Sequence, residues 1–111
     1  MKIDLLTVSG LTASDGSVIA SGATIKFETY FEIGNTNVRV FPKIFRSREL
    51  FELGYAPISM EDNDFPRELY IQTLTENEFF VLTPQDLFVL VRDQINTFFG
   101  GMVCEINIIE N

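Results

Sequence analysis

From Ala23 to Ile33 the chain alternates cleanly: Ile25, Phe27, Thr29, Phe31 and Ile33 fall on one side, and Lys26, Glu28, Tyr30 and Glu32 on the other. A period of two belongs to a pleated strand with one face in the core and one facing water. The turn formers Gly34-Asn35-Thr36-Asn37 follow, and Val38 to Arg46 resumes with β-branched and aromatic residues. Strands joined by so short a turn pair antiparallel, so this stretch predicts a β-hairpin and commits the chain to a sheet. Pro42 has no N–H for a ladder, which places the second strand at an edge or gives it a bulge.

The remaining segments fill in around that hairpin. Lys2 to Ser9 is a short strand, with Ile3, Leu5 and Thr7 on one side and Asp4 and Leu6 on the other. Gly10 to Gly22 is rich in small residues, and its Asp15-Gly16 turn signal predicts a loop or short hairpin. Ser47 to Tyr55 makes one short helical turn, capped by Ser47 and stopped by Gly54. Glu61 to Asp64 is an acidic loop, Glu68 to Leu74 a strand, Glu76-Asn77-Glu78 a turn, and Phe79 to Leu82 a further short strand.

One helix is signposted at both ends, over about 84–99. Thr83 is its N-cap, Pro84 sits where a missing N–H costs nothing, and Asp86 lies by the positive helix end. Leu82 and Leu87 form a hydrophobic staple, and Gly100-Gly101 stops the helix. At 100° per residue Leu87, Phe88, Val91, Ile95, Phe98 and Phe99 share a stripe of ~120°, with Arg92, Asp93, Asn96 and Thr97 facing water. Met102 to Ile109 closes as a strand, with Met102, Cys104, Ile106 and Ile108 on one face. The expected fold is a mostly β (α+β) single domain over 1–111, a small β-sandwich or rolled sheet with the late helix packed on it.

Composition excludes much of catalysis. The chain has no His, which removes imidazole ligands, Ser-His-Asp and Cys-His systems together. Cys104 is the single cysteine, so neither an intrachain disulfide nor a multi-cysteine zinc site can form. Alternation seats Cys104 beside Met102 and Ile106 as a buried apolar thiol. Sixteen acids against eight bases give a net charge of −8, which repels nucleic acid and anionic membranes. No apolar run nears the ~18 residues of a transmembrane helix, and the N-terminus does not read as a signal peptide.

Asp62-Asn63-Asp64 suggests a cation loop, but Phe65-Pro66 stand where an EF-hand needs a polar ligand and a glycine. Gly10, Gly16 and Gly22 match no phosphate-binding fingerprint. Paired carboxylates could serve glycoside chemistry, yet a Trp-free chain of 111 residues offers little surface for sugar stacking. The expectation is a non-enzyme with no cofactor and no metal.

The informative oddity is apolar excess on both sides of one strand. In Val38 to Arg46, Val40 and Ile44 point one way while Phe41 and Phe45 point the other, and Ile108-Ile109 repeats the pattern. Either the helix and the Leu50, Phe51, Leu53, Tyr55 segment cover this surplus internally, or another chain does. The second is the reading adopted, with sheet addition at the edge strand that carries Pro42 as a further contact.

The run Val40-Phe-Pro-Lys-Ile-Phe-Arg-Ser-Arg-Glu-Leu-Phe-Glu-Leu-Gly-Tyr-Ala-Pro-Ile58, a strand followed by a charged and aromatic turn and Gly-x-x-Pro-Ile, resembles a pattern in small virion structural proteins of tailed bacteriophages, of the neck, tail-ring and baseplate kind. The resemblance spans residues 40–58, and the Gly10 to Gly22 segment has no counterpart in it. It implies a structural protein without catalytic residues, which assembles with itself as a homo-oligomer and with other virion proteins through β-sheet contacts. Phe41, Phe45, Phe51 and Tyr55 are then expected at or beneath the contact surface. The implied location is the virion, assembled in the host bacterial cytoplasm. A small cytoplasmic adaptor or ligand-binding domain, with its pocket between helix stripe and sheet, is the alternative.

Overall fold

The computed structural model describes residues 2–31, 38–71 and 81–109. Its elements are β1 (Lys2–Thr7), β2 (Leu11–Thr12), β3 (Val18–Ile19), β4 (Thr24–Phe31), β5 (Val38–Phe45), α1 (Arg48–Glu52), β6 (Leu69–Ile71), α2 (Pro84–Phe99) and β7 (Cys104–Ile109). Among the described residues β6-β5-β4-β1-β7 form one antiparallel sheet, and β2 and β3 form a small second one. The chain is mostly β with one long late helix, as the periodicities predict.

The β4–β5 ladder runs unbroken from Thr24 opposite Phe45 to Phe31 opposite Val38, so Pro42 introduces no bulge. β5 is not the last strand of the sheet either, because β6 lies beyond it. Proline is tolerated because β6 pairs only with Val38 to Val40. Ile44 turns its carbonyl away from β4 to accept the Ile58 N–H at 2.8 Å. Backbone groups alternate sides along a strand, so the nitrogen of Pro42 also faces away from β4, beyond the end of β6, where no ladder needs a donor.

α2 forms as its caps direct. Thr83 Oγ1 accepts from the Asp86 N–H at 3.1 Å, Asp86 Oδ2 accepts from the Thr83 N–H at 3.1 Å, and Gly100 ends the helix at φ 73°. The helix lies across one sheet face, in contact with β6, β1 and β7. Val91 and Ile95 are fully buried there with Leu5, Ile25, Val40, Ile44 and Cys104. Each such aliphatic side chain contributes about 1.5–3 kcal/mol. Phe88 meets Phe27 edge-on at 4.9 Å.

The Gly10 to Gly22 segment is a folded hairpin. Gly16, at φ 88°, closes the turn with a 2.9 Å bond to the Ala13 carbonyl. Ala13 and Ile19 are buried, and Arg46 donates to the Val18 carbonyl and to Ser17 Oγ. Ser14 Oγ receives the Glu61 N–H and donates to Asp64 Oδ2, tying the acidic loop to the hairpin.

Four expectations are corrected. Phe98 is 42% exposed rather than in the core, and Met102 is 65% exposed and precedes β7. Asn96 does not face open water but bonds to the backbone at Val103 and Cys104. Val81 and Leu82 are in no strand. The turn expected over 34–37 and most of the elements expected over 72–80 lie outside the described residues. No described helix is long and apolar enough to cross a membrane.

Candidate functional site

Alternation along β5 sends Val38, Val40, Pro42 and Ile44 toward α2 and Arg39, Phe41, Lys43 and Phe45 to the opposite face. The ladder adds Thr24, Lys26, Glu28 and Tyr30 to that second face, with Lys26 directly opposite Lys43 and Glu28 opposite Phe41. The chain then folds α1 back over it. Ser47 Oγ accepts from the Leu50 N–H at 3.2 Å to start the helix, and Gly54 at φ 86° follows its last turn, as the sequence predicts.

What seats α1 is a carboxylate in β1. Asp4 is only 2% exposed, and it accepts from Lys26 Nζ at 3.1 Å and from Arg48 Nη1 at 3.1 Å. Arg48 also reaches Glu52 at 3.0 Å, one helical turn on. A buried carboxylate is tolerable only when so compensated. Phe51 of α1 meets Phe45 edge-on at 5.0 Å and lies beneath Lys26 Nζ at 4.7 Å.

These contacts leave an open groove of about 290 Å³ lined by Phe41, Phe45, Phe51 and Tyr55 with Lys26 and Lys43. The four aromatic residues expected at a contact surface, drawn from a strand, a helix and a loop, thus converge on one groove. They are not equivalent. Phe45 is 8% exposed and belongs to the interior, so its loss to Ala falls on folding first. Phe41 is half-buried, with Tyr30 edge-on at 5.3 Å and the Arg39 guanidinium at 5.2 Å. Phe51 and Tyr55 are 38% and 62% exposed, and neighbouring Leu53 is 73% exposed.

The charge around the groove is balanced rather than acidic. Lys26, Arg39, Lys43 and Arg48 on this side are half of the eight Lys and Arg of a chain whose net charge is −8, and Asp4, Glu28, Glu52 and Glu68 stand among them. Lys26 and Arg48 serve Asp4, and Arg39 serves Glu68, holding that carboxyl below the ordinary carboxylate range through its hydrogen bond. Lys43 has no ion-pair partner among the described residues and stands across from another lysine. Like charges directly opposite repel, so an incoming anion gains there. Glu28 shares the rim and receives the Tyr30 hydroxyl at 3.2 Å. Beneath it all, the hydroxyl of Thr24 is buried without a hydrogen-bond partner among the described residues, for which the fold offers no physical reason.

A second cavity, of about 440 Å³, opens where β6 stops short of Pro42 and Ile44, against Ile58, Met60 and Phe65. The space imagined between helix stripe and sheet is filled by Val91, Ile95 and Phe88. Among the described residues no group of three or more His, Cys, Asp or Glu is placed to hold a metal ion. Cys104 is buried, and desolvation pushes its thiol up to about 11, away from nucleophilic use.

Sequence reasoning missed Asp4, the Lys26–Lys43 pair and Asn96. The first two follow from strand register alone, and Asn96 looked like a residue of a wet helix face. Comparison of the chain with protein-family models, curated proteins and solved structures finds no match.

Proposed function

We propose that this chain is a non-enzymatic assembly protein, a homo-oligomeric component of a tailed-phage virion of the neck, tail-ring or baseplate kind. The observation that carries the assembly reading is the convergence of Phe41, Phe51 and Tyr55, above Phe45, on one open groove. Exposed aromatic side chains around a buried anchor are the usual makings of a contact centre. The charge pattern favours a second copy as occupant, because the acidic remainder of the surface meets a charge-balanced face on which Lys43 has no ion-pair partner among the described residues. Contact between groove and outer surface is heterologous, and such contacts close into rings when the rotation permits. The virion assignment rests on the resemblance over residues 40–58.

The adaptor or ligand-binding alternative would use this same groove, since the helix–sheet interface is packed. Light-scattering mass across a concentration series, with negative-stain imaging of large species, tests the proposal. A ring or defined multimer, lost when Tyr55→Ala is introduced, is the expected result. A strict monomer whose melting temperature rises with a small anionic aromatic ligand overturns it in favour of the alternative.

A further inference from the structure

Among the described residues β7 is an end strand of the sheet, with β1 as its neighbour. All six of its residues are in register, from Lys2 opposite Ile109 to Thr7 opposite Cys104. Two hydrogen bonds fix where its backbone groups point. The Thr7 N–H donates toward β4, to the Ala23 carbonyl at 2.9 Å, and the Val8 N–H donates the other way, to the Val103 carbonyl at 2.9 Å. Alternation then turns Glu105, Asn107 and Ile109 toward β1, and the N–H and C=O groups of Cys104, Ile106 and Ile108 away from the sheet.

Cys104 is provided for from within the chain. Asn96 Oδ1 accepts from the Cys104 N–H at 3.1 Å and from Val103 at 2.9 Å, while Nδ2 donates to the Cys104 carbonyl at 3.3 Å. One side-chain amide thus stands in for a neighbouring strand at that end. The outward groups of Ile106 and Ile108 have no such partner among the described residues. Exposed edges are ordinarily blunted by proline, lysine, bulges or brevity. The β6 end is short and follows Pro66-Arg67, but β7 has neither proline nor lysine, no bulge, and Glu105 as its one charge. Ile108 is 38% exposed beside half-buried Ile106.

We propose that β7 pairs antiparallel with β7 of a second copy about a two-fold axis at Asn107, joining two five-stranded sheets into one. The register follows from Asn96. Ile106 opposite its own copy would set Ile108 against Cys104, whose groups Asn96 already holds. An axis at Ile108 pairs only Ile108 among the described residues whose backbone groups point outward. Ile106 opposite Ile108 uses every free outward group, two bonds at each of two symmetric pairs, and leaves Cys104 to Asn96. On the helix side the four isoleucines then cover one another. On the other side Asn107 meets Asn107 and Glu105 meets Ile109, so no like charges face each other. This isologous contact lies at the sheet edge, separate from the aromatic groove, and stands whether or not the virion reading does.

The test is the mass of the full chain across a dilution series, with amide hydrogen exchange above and below the transition. Expected are assemblies of an even number of 12.6 kDa copies. Exchange at Ile106 and Ile108 slows only when they form, while Glu105, Asn107 and Ile109 are protected throughout. Asn107→Lys sets two ammonium groups across the axis at a Cα separation of about 4.5 Å. It should weaken the dimer at least tenfold at low salt, and less at high salt, whatever its pairing with Asp4 across β1 does to the melting temperature of the monomer. Ile108→Pro, which removes a donor that β1 does not use, should give a folded monomer; should it unfold, Asn107→Lys carries the test. A chain that stays monomeric near millimolar concentration overturns the proposal. So does an assembly in which Ile106 and Ile108 exchange at the monomer rate, or one that Tyr55→Ala dissolves and Asn107→Lys does not.

Discussion

The two faces of the β4–β5 hairpin both carry large apolar residues, fewer on the second, and are closed very differently. On one, Ile25, Val40 and Ile44 are at most 1% exposed beneath Val91 and Ile95. On the other, Phe45 is covered while Phe51 keeps 38% and Tyr55 62% of its surface exposed. The difference is one of reach. At 1.5 Å per residue the 16-residue α2 extends about 24 Å, long enough to cross the sheet, whereas the five residues of α1 extend only about 7.5 Å. A face is finished by the length of what lies on it, and apolar residues beyond that length are surplus for another chain to cover.

Ile44→Ala should break the closed face most severely, with a loss of about 2–4 kcal/mol in denaturant unfolding, because nothing in a packed layer moves in to fill the space. A loss below about 1 kcal/mol would mean that this side is no better closed than the other. The thiol on the same face offers a pH test of closure. Cys104 is pushed from an ordinary 9.0 to about 11 by burial, so the unfolded chain releases its proton first. Stability therefore falls as pH rises from about 9 to 11, by at most about 2–3 kcal/mol, and is unaffected by this group below pH 9. The comparison with Cys104→Ala isolates it from lysine and tyrosine titration: the variant should lose that part of the slope and no other.

Asp4→Ala tests what seats the short helix. Removing a buried carboxylate from two cations costs several kcal/mol when the cations stay buried. Here Lys26 and Arg48 are 31% and 22% exposed and can turn to water, which reduces the expected loss to about 1–2 kcal/mol. The sharper readout is local, in faster amide exchange at Phe51 to Gly54 with α2 unchanged. Equal acceleration in both helices would show that Asp4 supports the whole sheet and not one face of it.

Much of this architecture was legible in the sequence because it is written in local signals. Thr83-Pro84 and Gly100 bracket α2, Ser47 and Gly54 bracket α1, and period two marks β4 and β5, all within a few residues of what they determine. Alternation alone puts Phe41 and Phe45 opposite Val40 and Ile44, whereas Phe51 and Tyr55 are singled out only by the resemblance over residues 40–58. What the sequence hides depends on partners far along the chain. Lys26 meets Lys43 only through the hairpin register, Asp4 meets Arg48 only once α1 folds over β1, and Asn96 leaves the water-facing side of its helix only because β7 passes beneath it. Pro42 predicts an edge or a bulge, and instead lies beyond the point where β6 pairs with β5.

The smallest expected effect on folding is the one that discriminates best between the two faces. Tyr55 is 62% exposed and follows the Gly54 turn, so Tyr55→Ala removes little packing and should change stability by no more than about 0.5 kcal/mol. If its ring is part of an intermolecular contact, the same change should weaken association by tenfold or more, as truncation of an aromatic anchor does. Both quantities come from one purified variant, through a melting curve and a concentration-dependent mass. A change in stability near that of Ile44→Ala would place Tyr55 in the interior and leave the open face with no surplus to explain. Unchanged stability with unchanged association would leave the ring exposed to water alone, and the contact would then have to lie at the β7 edge.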